Sequence, residues 1–149
     1  MNGRFPLNGT WRLRHFDGQH GYFEHFLSAG ADETLFIDAT VPGEVHLDLM
    51  RAGLLPDVNI ARNAEAARWV EECVWLYRRT FTPPPEALAA KAASLVFEGL
   101  DLDAIIYLNG KEVGRHNNAH TPCRIDVTGK LLQGQNLLAV RIDSGLFSV

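Results

Sequence analysis

The chain has 149 residues and a formal net charge of −4, and its basic residues form no stripe or cluster. This length is typical of one domain and falls short of the about 250 residues of a (β/α)8 barrel. The charge pattern gives no support to nucleic-acid binding, and no apolar run approaches the roughly 18 residues that indicate a membrane span. The composition predicts one globular domain without nucleic-acid or membrane partners.

The N-terminal residues and the cysteines indicate a reducing compartment. Residues 1–6 lack the apolar run of a secretory signal. Cys73 and Cys123 show no metal-type spacing, and Cys123 lies in a strand pattern that predicts a small buried side chain. A disulfide between the two stays open as an alternative. We therefore expect a cytoplasmic protein.

The first half of the chain predicts two strands, the first beginning over residues 11–15. A period-2 alternation of apolar residues indicates a second strand over 35–41. Residues 44–52 are the best helix candidate, and Gly53 suits the left-handed residue that closes a helix.

Apolar residues lie on two sides of this predicted helix. Leu47, Met50 and Leu54 share one face at helical spacing. Val45 and Leu49 lie nearly opposite. We expect the helix to be covered on both sides.

The second half predicts more strands with turns between them. Residues 74–81 form a strand with Trp75, Tyr77 and Phe81 on one face, and an Ala-rich turn or short helix follows over 86–93. Asn109-Gly110 predicts a two-residue hairpin with a type I′ turn. The remaining predicted elements are strands at 95–97, 104–108, 111–115, 123–127 and 138–142, and a helical turn at 128–132.

This succession of short strands favours an all-β fold. Only one convincing helix interrupts the strands, and turn signals separate them. Two sheets that bury their alternating faces against each other satisfy this pattern. The sequence predicts an antiparallel jelly-roll β-sandwich with one short helix.

Several runs, in a set order, resemble the N-terminal sugar-binding domain of glycoside hydrolase family 2, which contains β-galactosidases, β-glucuronidases and β-mannosidases. Residues 41–49, VPGEVHLDL, are similar to the PG-x-V-H-x-x-L stretch of the β-mannosidase branch. The resemblance spans residues 7–143 and departs from the family pattern at 16–33 and 114–122. The other runs that carry it are LNGTW, WVEE, WLYRRTF, GLD, YLNG, DV and GQNLLAV.

The resemblance implies a galactose-binding-like jelly roll in which residues 1–149 are one accessory domain of a larger hydrolase. It implies a parent that cleaves β-glycosides with retention, by two glutamates carried on a separate barrel. No position here matches those barrel motifs, so no catalytic residue is carried over, and the chain alone is expected to be inactive. The implied partners are the barrel, immunoglobulin-like domains of the same chain and a β-linked oligosaccharide; no cofactor is implied.

Residues 56–72 resemble the family segment that approaches the barrel mouth. Asn59, Asn63 and Trp69 are the candidates for contact with substrate or with the catalytic domain. Trp75 and Tyr77 could join Trp69 in an aromatic platform for a sugar, although their shared strand face favours a core role.

Other polar pairs have simpler interpretations. Asp101 and Asp103 are interpreted as a turn-capping and a solvated residue, and the adjacent Glu71 and Glu72 as a solvated face. His116 and His120 would align for a metal only in a helix, which the intervening asparagines disfavour. We therefore assign no metal site.

Two other functions remain open. A free-standing carbohydrate-binding module would need a groove lined by aromatic rings and hydrogen-bonding side chains. A protein-interaction sandwich would show self-association and no glycan binding. The order of motifs favours the accessory domain over both.

Overall fold

The computed structural model describes residues 4–17, 23–28, 30–43, 45–54, 73–98, 100, 103–117 and 121–143. Within these ranges the chain forms eight strands, two α-helices and a 3-10 turn at Phe23–Phe26. The strands are β1 (Gly9–Asp17), β2 (Ile37–Val41), β3 (Cys73–Phe81), β4 (Ser94–Phe97), β5 (Asp103–Leu108), β6 (Lys111–His116), β7 (Cys123–Asp126) and β8 (Asn136–Asp143). The helices are α1 (Val45–Arg51) and α2 (Pro85–Ala89).

The strands form two antiparallel sheets that face each other. The larger sheet has the order β2-β1-β3-β8-β5-β6, and the smaller contains β4 and β7. Apolar side chains from both sheets join in one buried cluster, in which Leu95 and Ile125 of the smaller sheet meet Leu13 and Ile106 of the larger. The predicted all-β jelly-roll sandwich is therefore confirmed.

Alternation along the strands builds this core. Successive side chains of a strand point to opposite faces, so Trp11 and Leu13 of β1 lie on the same inner face as Leu138 and Val140 of β8. Full burial of one such side chain stabilises the fold by about 1.5–3 kcal/mol.

The outer face of the larger sheet carries a second, smaller core. Phe16, Leu27, Phe36, Leu76 and Ala139 form it. Two of these, Leu27 and Phe36, come from the chain between β1 and β2, which folds back over the sheet. The strand β3 is consequently buried on both faces, with Trp75 inward and Leu76 outward.

The helix α1 differs from its prediction. Leu49 is buried in the main core, and Val45 and Met50 pack partly against it. Leu47 and Leu54 are exposed. The predicted cover on two sides was therefore wrong for the described residues, because α1 packs on the sandwich through one face only.

Two boundaries also differ from the prediction. Leu35 is 68% exposed and precedes β2, whose neighbour Phe36 turns into the outer core instead. Residues 128–130 form a turn rather than a helical segment, with Lys130 donating to the Val127 carbonyl at 2.9 Å. The Ala-rich segment predicted as a turn or short helix contains α2, whereas the 3-10 turn was not predicted.

The predicted turn residues are confirmed. Asn109 and Gly110 have φ angles of 52° and 86°, as the two-residue hairpin between β5 and β6 requires. The Asn109 side chain donates to Asn136 Oδ1 at 2.8 Å and accepts from the Leu137 amide at 2.9 Å. This hairpin is therefore fastened to the start of β8. Gly53 has the predicted positive φ, at 77°.

Leu13→Ala should lower the free energy of unfolding by about 2–5 kcal/mol, because the lost side chain leaves a cavity in a closed core. Leu35→Ala is the matched control and should change it by no more than about 0.5 kcal/mol, because Leu35 already faces water. Urea unfolding followed by tryptophan fluorescence measures both. Equal effects of the two substitutions would contradict this description of the core.

Candidate functional site

Polar side chains lie near the strand termini at one end of the larger sheet. The strands β1, β6 and β8 end there, while β3 and β5 begin there. The pairing register places Cys73 opposite the last residue of β1, Asp103 opposite Asp143, and His116 opposite Ala104. We call this end the polar rim; it comprises His15, Cys73, Asp103, His116 and Asp143.

The side chains of the polar rim are held in place. Asp143 is buried and its Oδ2 lies 3.2 Å from Nη1 of Arg141. Nε2 of His116 lies 3.0 Å from the carbonyl oxygen of Thr121. The ring of His15 lies 5.5 Å from that of Trp75. Burial, and to a lesser extent the positive charge of Arg14, lower the pKa of His15.

The predicted contact residues Asn59, Asn63 and Trp69 lie outside the described residues and stay predictions. The segment that carries them ends directly before Cys73, so chain connectivity joins it to the sheet at the polar rim. Asp101, His120, Glu71 and Glu72 also lie outside the described part of the chain.

The remaining candidates have structural roles. Trp75 is buried in the main core and Tyr77 packs against it, which confirms their core role. His116 ends a strand, so it lacks the helical spacing that a pair with His120 would need. Within the described ranges, no group of three or more His, Cys, Asp or Glu side chains could hold a metal ion. Cys123 is buried as predicted, and no disulfide joins it to Cys73.

A buried carboxylate fastens α1 to the edge of the sheet. Oδ1 of Asp48 accepts from the Thr40 amide and from Nη1 of Arg51, each at 3.0 Å. Its Oδ2 has no hydrogen-bond partner in the described part of the chain. Burial, with the nearby negative charge of Asp48, raises the pKa of Tyr77. Asp48 was not among the predicted site residues, although an acidic position between two leucines of an apolar helix was a visible signal.

A second polar region is an open cleft of about 390 Å³, which we call the outer-face cleft. Its floor consists of the outward side chains of β1 and β3, with Arg12 directly opposite Arg78. Its wall is the chain between β1 and β2. The described residues that line it are Thr10, Arg12, Ala31, Glu33, Arg78, Arg79, Thr80 and Gln135.

Arg78 is the unusual member of this cleft, because its side chain is only 1% exposed. Its Nη2 donates to the carbonyl oxygen of Ser28 at 2.8 Å. Its Nη1 lies 3.0 Å from Oε2 of Glu33, an ion pair without hydrogen-bond alignment. Burial lowers the pKa of Arg78 and the Glu33 carboxylate opposes that shift; the guanidinium stays charged at neutral pH.

Arg12 and Arg79 are anchored by other groups. Arg12 pairs with Asp38 and donates from Nη2 to the Phe36 carbonyl at 2.7 Å. Arg79 donates from Nη1 to the carbonyl oxygens of Leu7 and Asn8 at 2.8 and 2.7 Å. None of these arginines was a predicted site residue. A charged residue on a strand is ordinarily exposed to solvent, so its position in the sequence gives no signal of a site.

Arg14→Gln should raise the pKa of His15 part of the way toward its ordinary 6.5, because burial, the larger cause of the shift, remains. The neutral ring favours the folded state, so its contribution is present above pH 6.5 and is lost as the pH falls toward the lower folded pKa. An NMR titration of the His15 ring protons measures the shift. Arg124→Gln, on the smaller sheet, should leave it unchanged, and an unmoved pKa in Arg14→Gln would contradict the assigned cause.

Known proteins resemble the chain over nearly its whole length. The family model described as the glycosyl hydrolase 2 galactose-binding domain-like family matches residues 11–148. "Beta-mannosidase B" of Thermothelomyces thermophilus is 34% identical over 139 residues, which are 93% of this chain and 15% of that protein.

Solved structures agree. The β-D-mannosidase of Dictyoglomus thermophilum is 35% identical with a TM-score of 0.78, over 93% of this chain and 15% of that one. A Bifidobacterium dentium β-glucuronidase is 27% identical with a TM-score of 0.72, over 93% of this chain and 20% of that one. The described residues contain no helix long and apolar enough to cross a membrane. The chain spans about 15% of the length of the mannosidases it matches, and it belongs to the galactose-binding-like domain family of glycosyl hydrolase 2.

Proposed function

We propose that this chain is the accessory, sugar-binding-like domain of a larger retaining β-glycoside hydrolase of the β-mannosidase type. The observation that carries the proposal is the match to the Dictyoglomus thermophilum β-D-mannosidase, at 35% identity over 93% of this chain but only 15% of that enzyme. Because this domain would be only a small part of such an enzyme, the catalytic residues would lie in the rest of the parent sequence.

The requirements of glycoside hydrolysis with retained configuration support placing the catalytic residues outside this domain. It needs two carboxyl groups about 5–5.5 Å apart, one a nucleophile and one an acid/base. Asp103 and Asp143 face each other across β5 and β8 at the polar rim. Asp143 is buried in an ion pair with Arg141, so its carboxylate is not open to a substrate. The catalytic pair is therefore assigned to another domain of the parent.

The proposed role of the domain is to form one wall of the substrate pocket. The segment that carries Asn59, Asn63 and Trp69 joins β3 at the polar rim, and the rigid sandwich gives that segment a fixed base. Asn59 and Asn63 would donate to and accept from sugar hydroxyls, and the ring of Trp69 would stack on a sugar face.

The proposed partners are the catalytic barrel and the immunoglobulin-like domains of the same parent chain, with a β-linked oligosaccharide as the ligand of the assembled enzyme. The exposed Leu47 of α1, and the exposed Leu54 that follows the helix, are the apolar side chains in this part of the domain that would contact another domain. A reducing cytoplasm belongs to the same proposal and agrees with Cys73 and Cys123 forming no disulfide.

The 149-residue chain should not hydrolyse an aryl β-mannoside, whereas the protein encoded by the uninterrupted reading frame should. Release of p-nitrophenol from the aryl glycoside measures both. Hydrolysis by the chain alone, lost when one of its own carboxylates is neutralised, would overturn the proposal. Glycan binding by the chain, together with a stop codon directly after Val149, would favour the carbohydrate-binding module instead.

Trp69→Ala in the full parent enzyme should lower kcat/KM for an aryl β-mannoside by roughly ten- to a hundredfold, because the substrate loses one positioning contact. Leu88→Ala is the control, because Leu88 is exposed on α2, beyond the opposite end of β3. Unchanged kinetics in Trp69→Ala would remove Trp69 from the proposed pocket wall.

A further inference from the structure

We propose that the outer-face cleft binds a small oxyanion, a carboxylate or phosphate group on a molecule of monosaccharide size, and that Glu33 occupies the site until the ligand displaces it. The cleft lies on the outward side chains of β1 and β3, away from the polar rim. The proposal does not depend on the glycosidase role of the parent.

Arg78 is the fixed cation of this site. Its side chain is 1% exposed, its Nη2 is fastened to the Ser28 carbonyl at 2.8 Å, and the ring of Phe36 lies 5.7 Å from its Cζ. The guanidinium therefore cannot swing out to water. Among the described residues, neither Nε nor Nη1 has a hydrogen-bond partner. Buried donors are ordinarily satisfied, so these two N–H groups are the signature of a site that an acceptor completes.

Glu33 is the movable part. One carboxylate serves two cations that face each other, with Oε2 at 3.0 Å from Nη1 of Arg78 and Oε1 at 3.6 Å from Nε of Arg12. The first contact lacks hydrogen-bond alignment, the second is longer than a hydrogen bond, and the Glu33 side chain is 35% exposed. Because Glu33 is partly exposed, it can turn into solvent when a ligand oxyanion takes its place beside Arg78, so that the buried guanidinium is not left unpaired.

The side chains that line the cleft indicate which functional groups a ligand would carry. The guanidinium groups of Arg12 and Arg78 face the cleft against one carboxylate, that of Glu33, and the planar guanidinium fork matches carboxylate and phosphate oxygens. The hydroxyls of Thr10 and Thr80 and the amide of Gln135 suit ligand hydroxyl groups. The described lining includes no aromatic ring, which disfavours a neutral sugar held by stacking. A volume of about 390 Å³ is within the usual range of small-molecule sites.

The test titrates the 149-residue chain with inorganic phosphate or with sodium gluconate, at constant ionic strength, by calorimetry. Glu33→Gln should bind at least one of these probes about tenfold more tightly than the wild type, because the competing charge is removed while the side chain keeps its size. Arg78→Met in the Glu33→Gln background should abolish that gain. Glu112→Gln, which removes an exposed carboxylate paired with Arg115 on β6, is the matched control and should bind like the wild type.

A second measurement keeps the test decisive if Arg78→Met does not fold. In the arginine side-chain 15N spectrum of the Glu33→Gln variant, the Nε–H signal of Arg78 should move on titration. That of Arg14, which stacks over Phe16 and Phe26 outside the cleft, should not.

The preferred probe identifies the source of the oxyanion, and binding of either one supports the site. Equal affinities in Glu33→Gln and Glu112→Gln would overturn the proposal, because the attraction would then be diffuse. A motionless Arg78 signal at saturating probe would overturn it too.

Discussion

The strand β3 runs through the middle of the larger sheet with both faces buried, and the rest of the structure is arranged around that constraint. Its inward side chains need one cover, and its outward side chains need another. The smaller sheet and α1 supply the first by apolar packing around residues such as Trp75. The chain between β1 and β2 supplies the second through Leu27 and Phe36.

Different interactions hold the two covers on the larger sheet. The inner one is held by the continuous core that Leu13, Ile106 and Ile125 share, where the free energy follows the apolar area removed from water. The outer one is short of apolar area and uses the buried guanidinium of Arg78, which reaches the Ser28 carbonyl and the Glu33 carboxylate. A polar cleft forms on the outer face for this reason.

The same topology separates scaffold from function. Antiparallel pairing brings the ends of β1, β6 and β8 to one end of the sheet, together with the starts of β3 and β5. The described chain resumes after α1 at Cys73, on this polar rim. Membership of the galactose-binding-like family describes this scaffold. Activity depends on sites carried by a fold and not on the fold itself.

The sequence by itself determined the features that depend on neighbouring residues. Alternation predicted β2, β3 and β8, Asn109-Gly110 predicted the hairpin, and Gly53 predicted the end of α1, because side-chain period and φ preference are local properties.

The tertiary structure alone decided which faces of those elements are covered. Leu47 occurs at the helical spacing of a core residue, yet it is exposed. Phe36 was predicted to lie within a strand, but it precedes β2 and packs in the outer core. Arg78, Glu33 and Ser28 are brought together from segments far apart in the chain. Burial and ion pairing of that kind depend on contacts between distant segments, which no local pattern encodes.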